Sequence, residues 1–466
     1  MDGINPRQIN LARNATHIGA TQSHGKDKKA EKKEEGPKDE VTLQNILKYT
    51  KDDLTSGGKL GVIIKAKSPE KLAELKEKIM ENPKNKIKVD LPIINGFAAE
   101  LDPSSKGILP DLGKSTGDIK LYLDAKIGII EPVEKFDNDA HIMMDVAGKT
   151  MNIDKVWDKG YKGKGVTIAV IDTGIAQHPD IKDRIVGFKD FVNDKTEAYD
   201  DNGHGTHCSG IAAGDGTASE GKYKGAAPEA SLVGVKVLSG SGSGSFSDVI
   251  SGIQWVVEQK DELNIDVISM SLGGYASGSY KDDPVAQAVE AAVSKGIITC
   301  IAAGNSGPSG ETIGTPATAP HVITVGALDD KGTVEREDDT IAYFSSRGPT
   351  TVDGLPKPDI LTPGVRITAP KNTGGYTTMS GTSMACPLAA GMAALIKNAS
   401  PTVTPGELKG VVMGTADSIA NIEGLDHNNQ GAGAFDIAGA IEQLTGEEII
   451  PPPPPPPQQP QPQPQA

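Results

Sequence analysis

Between residues 166 and 414, short apolar runs alternate with longer helical stretches, and this alternation restricts the fold more than any other feature of the chain. The runs are 166–171, 231–238, 267–272, 297–303 and 322–327, all rich in Val, Ile and Ala. The helical stretches between and after them are 204–213, 248–264, 284–295, 383–398 and 405–413. Short Val- and Ile-rich runs, apolar at most positions rather than at every second one, suit strands buried on both faces. Strands separated by helices have the crossovers that parallel pairing needs. The expected fold class is therefore α/β, a doubly wound parallel sheet with helices on both faces. On such a sheet ligands bind beyond the carboxyl ends of the strands, so the residues just after each run are the ones to inspect.

A different pattern precedes this region. Residues 59–65 read as a strand. Ser68 is an N-cap for a helix over 69–80, and 87–91 with 94–101 read as a hairpin near Asn95-Gly96. A second helix is expected over 103–112 and a last strand over 119–123. That β-α-β-β-α-β order predicts a small α+β ferredoxin-like domain over 59–125. Residues 1–58 are polar with mixed charge and read as a disordered lead-in, with a short helix expected at 42–54. Residues 126–150 show no periodicity and read as an exposed linker. After the large domain, 151–446, the stretch 447–466 turns to prolines and glutamines and reads as an extended spacer.

Composition narrows the function. Among 466 residues the formal net charge is −15, the wrong sign for a nucleic-acid partner or an anionic membrane surface. No apolar run reaches the roughly 20 residues of a membrane span. Cys208, Cys300 and Cys386 are far apart and odd in number, so no disulfide framework is implied. The first residues lack the apolar core of a secretory signal, which points to the cytoplasm.

Four polar residues fall where the sheet rule directs attention. Asp172 closes the first run in V-I-D-T-G, where a carboxylate is costly unless paired. His204 and His207 lie three apart in D-D-N-G-H-G-T-H-C-S-G, without the intervening Glu of a metalloprotease helix. Asn305 stands in A-A-G-N-S-G, a turn residue or a side-chain donor to an oxyanion. Ser383 opens the apolar helix in G-T-S-M-A-C-P, with Pro387 expected in its first turn. It either caps that helix or uses the free N–H groups there to attack a carbonyl. Acyl transfer needs a nucleophile, a base, a group that orients the base and oxyanion donors, and these residues supply each type. A G-x-S-x-G elbow, the mark of another hydrolase fold, is absent around Ser383.

V-I-D-T-G, G-H-G-T-H, A-A-G-N-S-G and G-T-S-M-A together resemble the signature segments of subtilisin-like serine proteases over residues 150–445. The resemblance implies a serine endopeptidase acting on protein and peptide substrates. Asp172 would orient the imidazole, His204 would be the base, Ser383 the nucleophile, and Asn305 with the Ser383 N–H the oxyanion hole. It also implies that Gly242, Ser243 and Gly244 with Ser271, Leu272 and Gly273 flank the substrate as strands. A specificity pocket would be lined by Ser271–Gly273, Ala302, Ala303, Gly304 and Gly314, with a preference for apolar residues before the cut. The 59–125 domain resembles the propeptide of these enzymes, an intramolecular inhibitor, and a self-cut is expected between Phe136 and Met151, favouring 140–144. No cofactor is required. Asp180 matches a calcium position of some relatives, although the loop 214–225 lacks their Asn-rich pattern. C-P-L-A after the nucleophile departs from the usual T-P-H-V, and Cys208 and Cys386 would lie beneath the site. A monomer is expected, with export the second choice of compartment. The competing reading is a catalytically silent binding module on the same fold.

Overall fold

The structure is a computed structural model that describes residues 58–107, 118–136, 144–276, 278–419 and 426–450. The predicted lead-in and its short helix therefore lie outside the described residues, as does the proline tail from 451 onward.

The first layer is a four-stranded antiparallel sheet in the order β2-β3-β1-β4. Its strands are β1 (Leu60–Ala66), β2 (Lys86–Leu91), β3 (Gly96–Leu101) and β4 (Ile119–Leu123). Helix α1 (Pro69–Met80) connects β1 to β2, and the Ser68 side chain accepts from the Lys71 N–H at its start. Successive residues of a strand face opposite sides, and β1 uses both. Val62 and Ile64 pack with Leu75 and Ile79 of α1. Ile63, Leu91, Ile94 and Ala98 face away and join the core of the following domain. The expected hairpin loop is a short 3-10 turn at Pro92–Ile94, with Asn95 left-handed. Of the expected second helix, Pro103–Gly107 is a 3-10 turn and 108–112 lie outside the described residues.

Residues 126–136 are not an exposed linker. They form β5 (Lys126–Ile129) and β6 (Glu134–Phe136), each paired with strands far along the chain. The linker reading failed because these strands find their apolar partners in tertiary contacts, leaving no local period. Helix α2 (Met144–Thr150) follows.

The large sheet runs β15-β14-β13-β11-β7-β9-β8, with β16 beside β14. Its strands are β7 (Thr167–Asp172), β8 (Ile185–Asp190), β9 (Ser231–Lys236), β11 (Ile265–Met270), β13 (Ile298–Ala302), β14 (Ile323–Asp329), β15 (Thr340–Ile341) and β16 (Ile360–Pro363). All pairs are parallel except β14 with β15. One face is covered by α4 (Phe246–Glu258) and α5 (Pro284–Ser294), the other by α3 (His204–Ala213) and α6 (Thr382–Ala399). Helix α6 is buried nearly all round, as its Ala, Leu and Met content requires. Pro387 lies inside α6 rather than in its first turn, because the helix starts at Thr382. Short strands β10 (Ser243–Ser245), β12 (Leu272–Gly273), β17 (Ile367–Pro370) and β18 (Tyr376–Ser380) line the carboxyl edge. No helix among the described residues is long and apolar enough to cross a membrane.

Candidate active site

Asp172 is the last residue of the central strand β7 and is fully buried. Its carboxylate accepts the Thr173 N–H at 2.7 Å and the Nδ1–H of His204 at 2.8 and 3.0 Å. His204 is the first residue of α3, set there by a turn that Asp200 organises. Asp200 accepts from the N–H groups of Asn202, Gly203 and Thr206 and from the hydroxyls of Thr173 and Thr206. Those donors outweigh burial and hold the Asp200 carboxyl below its usual value. Gly205 has no substitute, because a Cβ there would meet the Gly174 carbonyl at 2.2 Å.

Burial, the largest single influence, pushes the His204 imidazole down, but the Asp172 charge and hydrogen bond together with those of Cys208 outweigh it and hold the group well above the ordinary histidine value. His207 is different: it donates from Nε2 to the Thr377 carbonyl at 3.0 Å, and burial pushes it down to about 3. It is a neutral structural group, which separates the two histidines that sequence alone left equivalent.

Ser383 is the second residue of α6 and is buried. Its hydroxyl donates to the Ile130 carbonyl at 2.8 Å, while His204 Nε2 has no hydrogen-bond partner. Asn305 is oriented from behind: its Oδ1 accepts from the Thr382 N–H and hydroxyl, both at 2.9 Å. That leaves the Asn305 amide to donate to the Glu131 carbonyl at 2.8 Å. The Ser271 hydroxyl donates to the Ser383 carbonyl at 2.9 Å. Thus Asp172, His204, Ser383 and Asn305, from four separate segments, meet at one edge of the sheet. Asp200 and Thr382 support them. Both stand inside the quoted motifs, but only hydrogen bonds to distant residues reveal what they do.

The chain's own residues 126–136 occupy the cleft. Strand β5 lies antiparallel between β10 and β12, with Gly244 opposite Ile127, Gly128 opposite both Ser243 and Gly273, and Leu272 opposite Ile129. The Ile129 N–H donates to Gly242 O at 2.9 Å and the Ile130 N–H to Ser271 O at 3.3 Å. Past Ser383, the Val133 N–H donates to Ser380 O at 2.8 Å and β6 pairs with β18. The Ile130 side chain reaches Gly273: a Cβ built there would meet Ile130 Cδ1 at 3.5 Å. Gly314 lies against the Gly274 carbonyl, and Ala302 and Ala303 are buried at the end of β13 with Gly304 following. The favoured cleavage stretch 140–144 lies, apart from Met144, outside the described residues; the backbone at Ser383 is that of Ile130 and Glu131.

At Asp180, the expected calcium position, the carboxylate is hydrogen-bonded to the chain itself. Its Oδ1 accepts from the Ala218 N–H and its Oδ2 from the Tyr376 hydroxyl, both at 2.7 Å. Each carboxylate oxygen has one donor, and Asp180 joins no cluster of three acidic, His or Cys ligand atoms among the described residues. Among the described residues, Asp172, His204 and Cys208 alone bring three ligand-type atoms within 4.8 Å. Cys208 Sγ lies 3.8 Å from His204 Nδ1 and 3.4 Å from the Ser383 carbonyl. Burial pushes the Cys208 thiol up, and that of Cys386 up to about 12. A thiol kept protonated is a small packing group here.

Residues 163–435 match the family model described as the subtilase family. The chain is 43% identical over 386 residues to serine protease AprX of Bacillus subtilis (strain 168), covering 78% of this chain and 83% of that protein. It is 42% identical over 274 residues to subtilisin DY of Bacillus licheniformis, covering 58% of this chain and 89% of that one.

Proposed function

The chain belongs to the subtilase family and is a serine endopeptidase, and from that premise we propose that it is made as a self-inhibited precursor that cuts itself between Ile130 and Glu131. In this reading Ser383 attacks the carbonyl carbon, and His204 takes its proton at Nε2 and then hands it to the leaving amine. Asp172 holds the imidazole with Nδ1–H toward itself and stabilises the imidazolium. The Asn305 amide and the Ser383 N–H receive the oxyanion once the Ile130 carbonyl moves into the place that the Glu131 carbonyl holds against Asn305 in this structure. Water then hydrolyses the acyl-enzyme by the same proton route. Every proton is carried by the chain's own residues.

The observation that carries this reading is the antiparallel seating of Lys126–Ile129 between β10 and β12, with the Ile130 carbonyl on the Ser383 hydroxyl. A peptide added as a strand is held by backbone bonds, while its side chains select. Two bonds lie at the nucleophile. Glu131–Pro132 is disfavoured because Glu131 is exposed whereas Ile130 reaches the pocket. Ile130–Glu131 follows the register of the preceding strand. The small, uncharged lining at Gly273, Ala302–Gly304 and Gly314 supports an apolar preference at that residue, and the burial of Ile127 supports a second apolar contact three residues earlier. Residues 58–130 act as the inhibitor, with β5 as its product-like end.

The test is intact mass of the purified wild type beside Ser383→Ala. The expected result is a wild type split after Ile130 and an unsplit variant. A wild type that stays whole under conditions where it digests casein would overturn the self-cut. A cut elsewhere would overturn the assigned bond.

A further inference from the structure

The turn joining β14 to β15 holds two buried carboxylates that the chemistry above does not use. Asp330 and Asp339 retain 3% and 2% of their surface. Each has one satisfied oxygen. Asp330 Oδ1 accepts the Gly332 N–H at 3.1 Å, and Asp339 Oδ2 accepts the Arg336 Nε–H at 2.9 Å. The other oxygens, Asp330 Oδ2 and Asp339 Oδ1, are buried without any hydrogen-bond partner. The neighbouring cations are already committed: Lys331 pairs with Asp329, and Arg336 is shared between Asp339 and Asp417. Asp338 accepts the Thr333 hydroxyl.

A buried carboxylate oxygen with no donor costs several kcal/mol unless a proton or cation compensates it. Two such oxygens in one turn, with Asp329 and Asp338 adding like charge, call for positive charge beyond the ion pairs that Lys331 and Arg336 make. Between Ile323 and Thr350 there is no His, Cys or Met, so every available ligand atom is a hard oxygen. Such a set suits calcium rather than zinc or copper. We propose that Asp330 and Asp339 form a calcium-binding site in the β14–β15 turn, distinct from the position of Asp180. The remaining coordination falls to turn carbonyls and water. The Thr150 hydroxyl donates to the Thr333 carbonyl at 3.0 Å, so the turn also anchors α2, and a cation there would fasten the start of the catalytic domain. The raised carboxyls are consistent with this need: burial, with the Asp339 charge, puts Asp330 at about 7, and burial puts Asp339 at about 6.

The competing account is that these groups are simply protonated. Full-length Ser383→Ala, which cannot digest itself, separates the two. At pH 8, calcium at about 100 times its Kd should raise the melting temperature by about 4 °C, and magnesium by less. Calorimetric titration of the same protein should show binding. Asp330→Asn with Asp339→Asn should melt at the same temperature with calcium or with chelator. If that pair does not fold, Asp330→Asn alone should weaken calcium binding at least tenfold. An undiminished calcium response in these variants would overturn the proposal by placing the ion elsewhere. So would a parent that binds no calcium and loses stability only as pH rises from about 4, the unfolded carboxyl value, to about 7. That loss is the sign expected of carboxyls whose folded pKa is raised, since the folded state then holds more protons than the unfolded one.

Discussion

Replacing Asp124 with Ala should loosen the small N-terminal domain, the proposed inhibitor, while leaving the chemistry alone. Asp124 directly follows β4, and its side chain is 6% exposed. Its oxygens accept the Ser247 N–H at 2.8 Å and the Ser247 hydroxyl at 2.6 Å, at the free N-terminus of α4. Lys88, from the same small domain, stands 2.9 Å from Asp248 and 3.5 Å from Asp124. A carboxylate on a helix N-terminal N–H is a charge-assisted bond worth about 1.5–3 kcal/mol when buried. The helix keeps its own Ser245–Asp248 capping box, and Lys88 keeps Asp248, so the fold of either partner should hold. A loss of about 2 kcal/mol is about a 30-fold weaker complex. The assay is the initial hydrolysis rate of a short chromogenic peptide after serial dilution of freshly processed enzyme. The concentration at which activity appears should rise about 30-fold in Asp124→Ala, with kcat unchanged at full dilution. Coincident dilution curves would refute the argument that this cap holds the domain in place.

The acid limb of kcat/KM for the processed enzyme should have its midpoint above the ordinary histidine value of about 6.5, because a base held charged by Asp172 needs a higher pH to become free. Asp172→Asn should move that limb down and cut kcat about 10⁴-fold, a magnitude carried over from comparable triads; an unmoved limb would contradict the assignment. With Cys208 fully buried and its thiol pushed up by burial, the processed enzyme should keep its activity with one equivalent of an organomercurial; inactivation that Cys208→Ala abolishes would refute the packing role. Gly242 has φ +76°, and a Cβ there would meet Ile129 Cδ1 at 2.9 Å, so Gly242→Val should raise KM for long peptides and slow self-processing; equal KM values would count against strand-like substrate seating.

Much of this site was legible because its residues follow apolar strands. β7, β9, β11, β13 and β14 are buried at nearly every position, so their period could be read directly, and Asp172 and Asn305 could be placed at their carboxyl ends. β8 was missed: its burial is mixed, and Gly187 and Lys189 break the apolar run. Strands β5 and β6 were missed for another reason. Their partners, β10, β12 and β18, are more than a hundred residues away, and backbone pairing leaves no side-chain pattern in a short segment. At Asp180 motif position predicts a carboxylate but not its neighbours. The hydroxyl of Tyr376, far along the chain, supplies one of its two donors.

Under the proposed self-cut the two halves of the self-strand would have different fates, and that difference bears on how the enzyme would become active. Once the Ile130–Glu131 bond is cut, β5 belongs to a separate chain held by α4 and α5, and it can leave. β6 remains covalently attached to the catalytic domain, paired through Glu134–Phe136 with Ser380, Met379 and Thr378. A tethered segment competes at an effective concentration that dilution cannot lower. Departure of the small domain therefore frees the side of the cleft that precedes the cut, but not the side that follows it. A substrate that extends beyond the scissile bond must displace β6, whereas a short chromogenic peptide ending at the bond need not. The Val133 N–H on Ser380 O is the first backbone-to-backbone hydrogen bond after that junction. Val133→Pro removes this donor and should lower KM for extended peptides while leaving it unchanged for the short chromogenic one. An equal change for both would mean that β6 does not occupy the substrate's path.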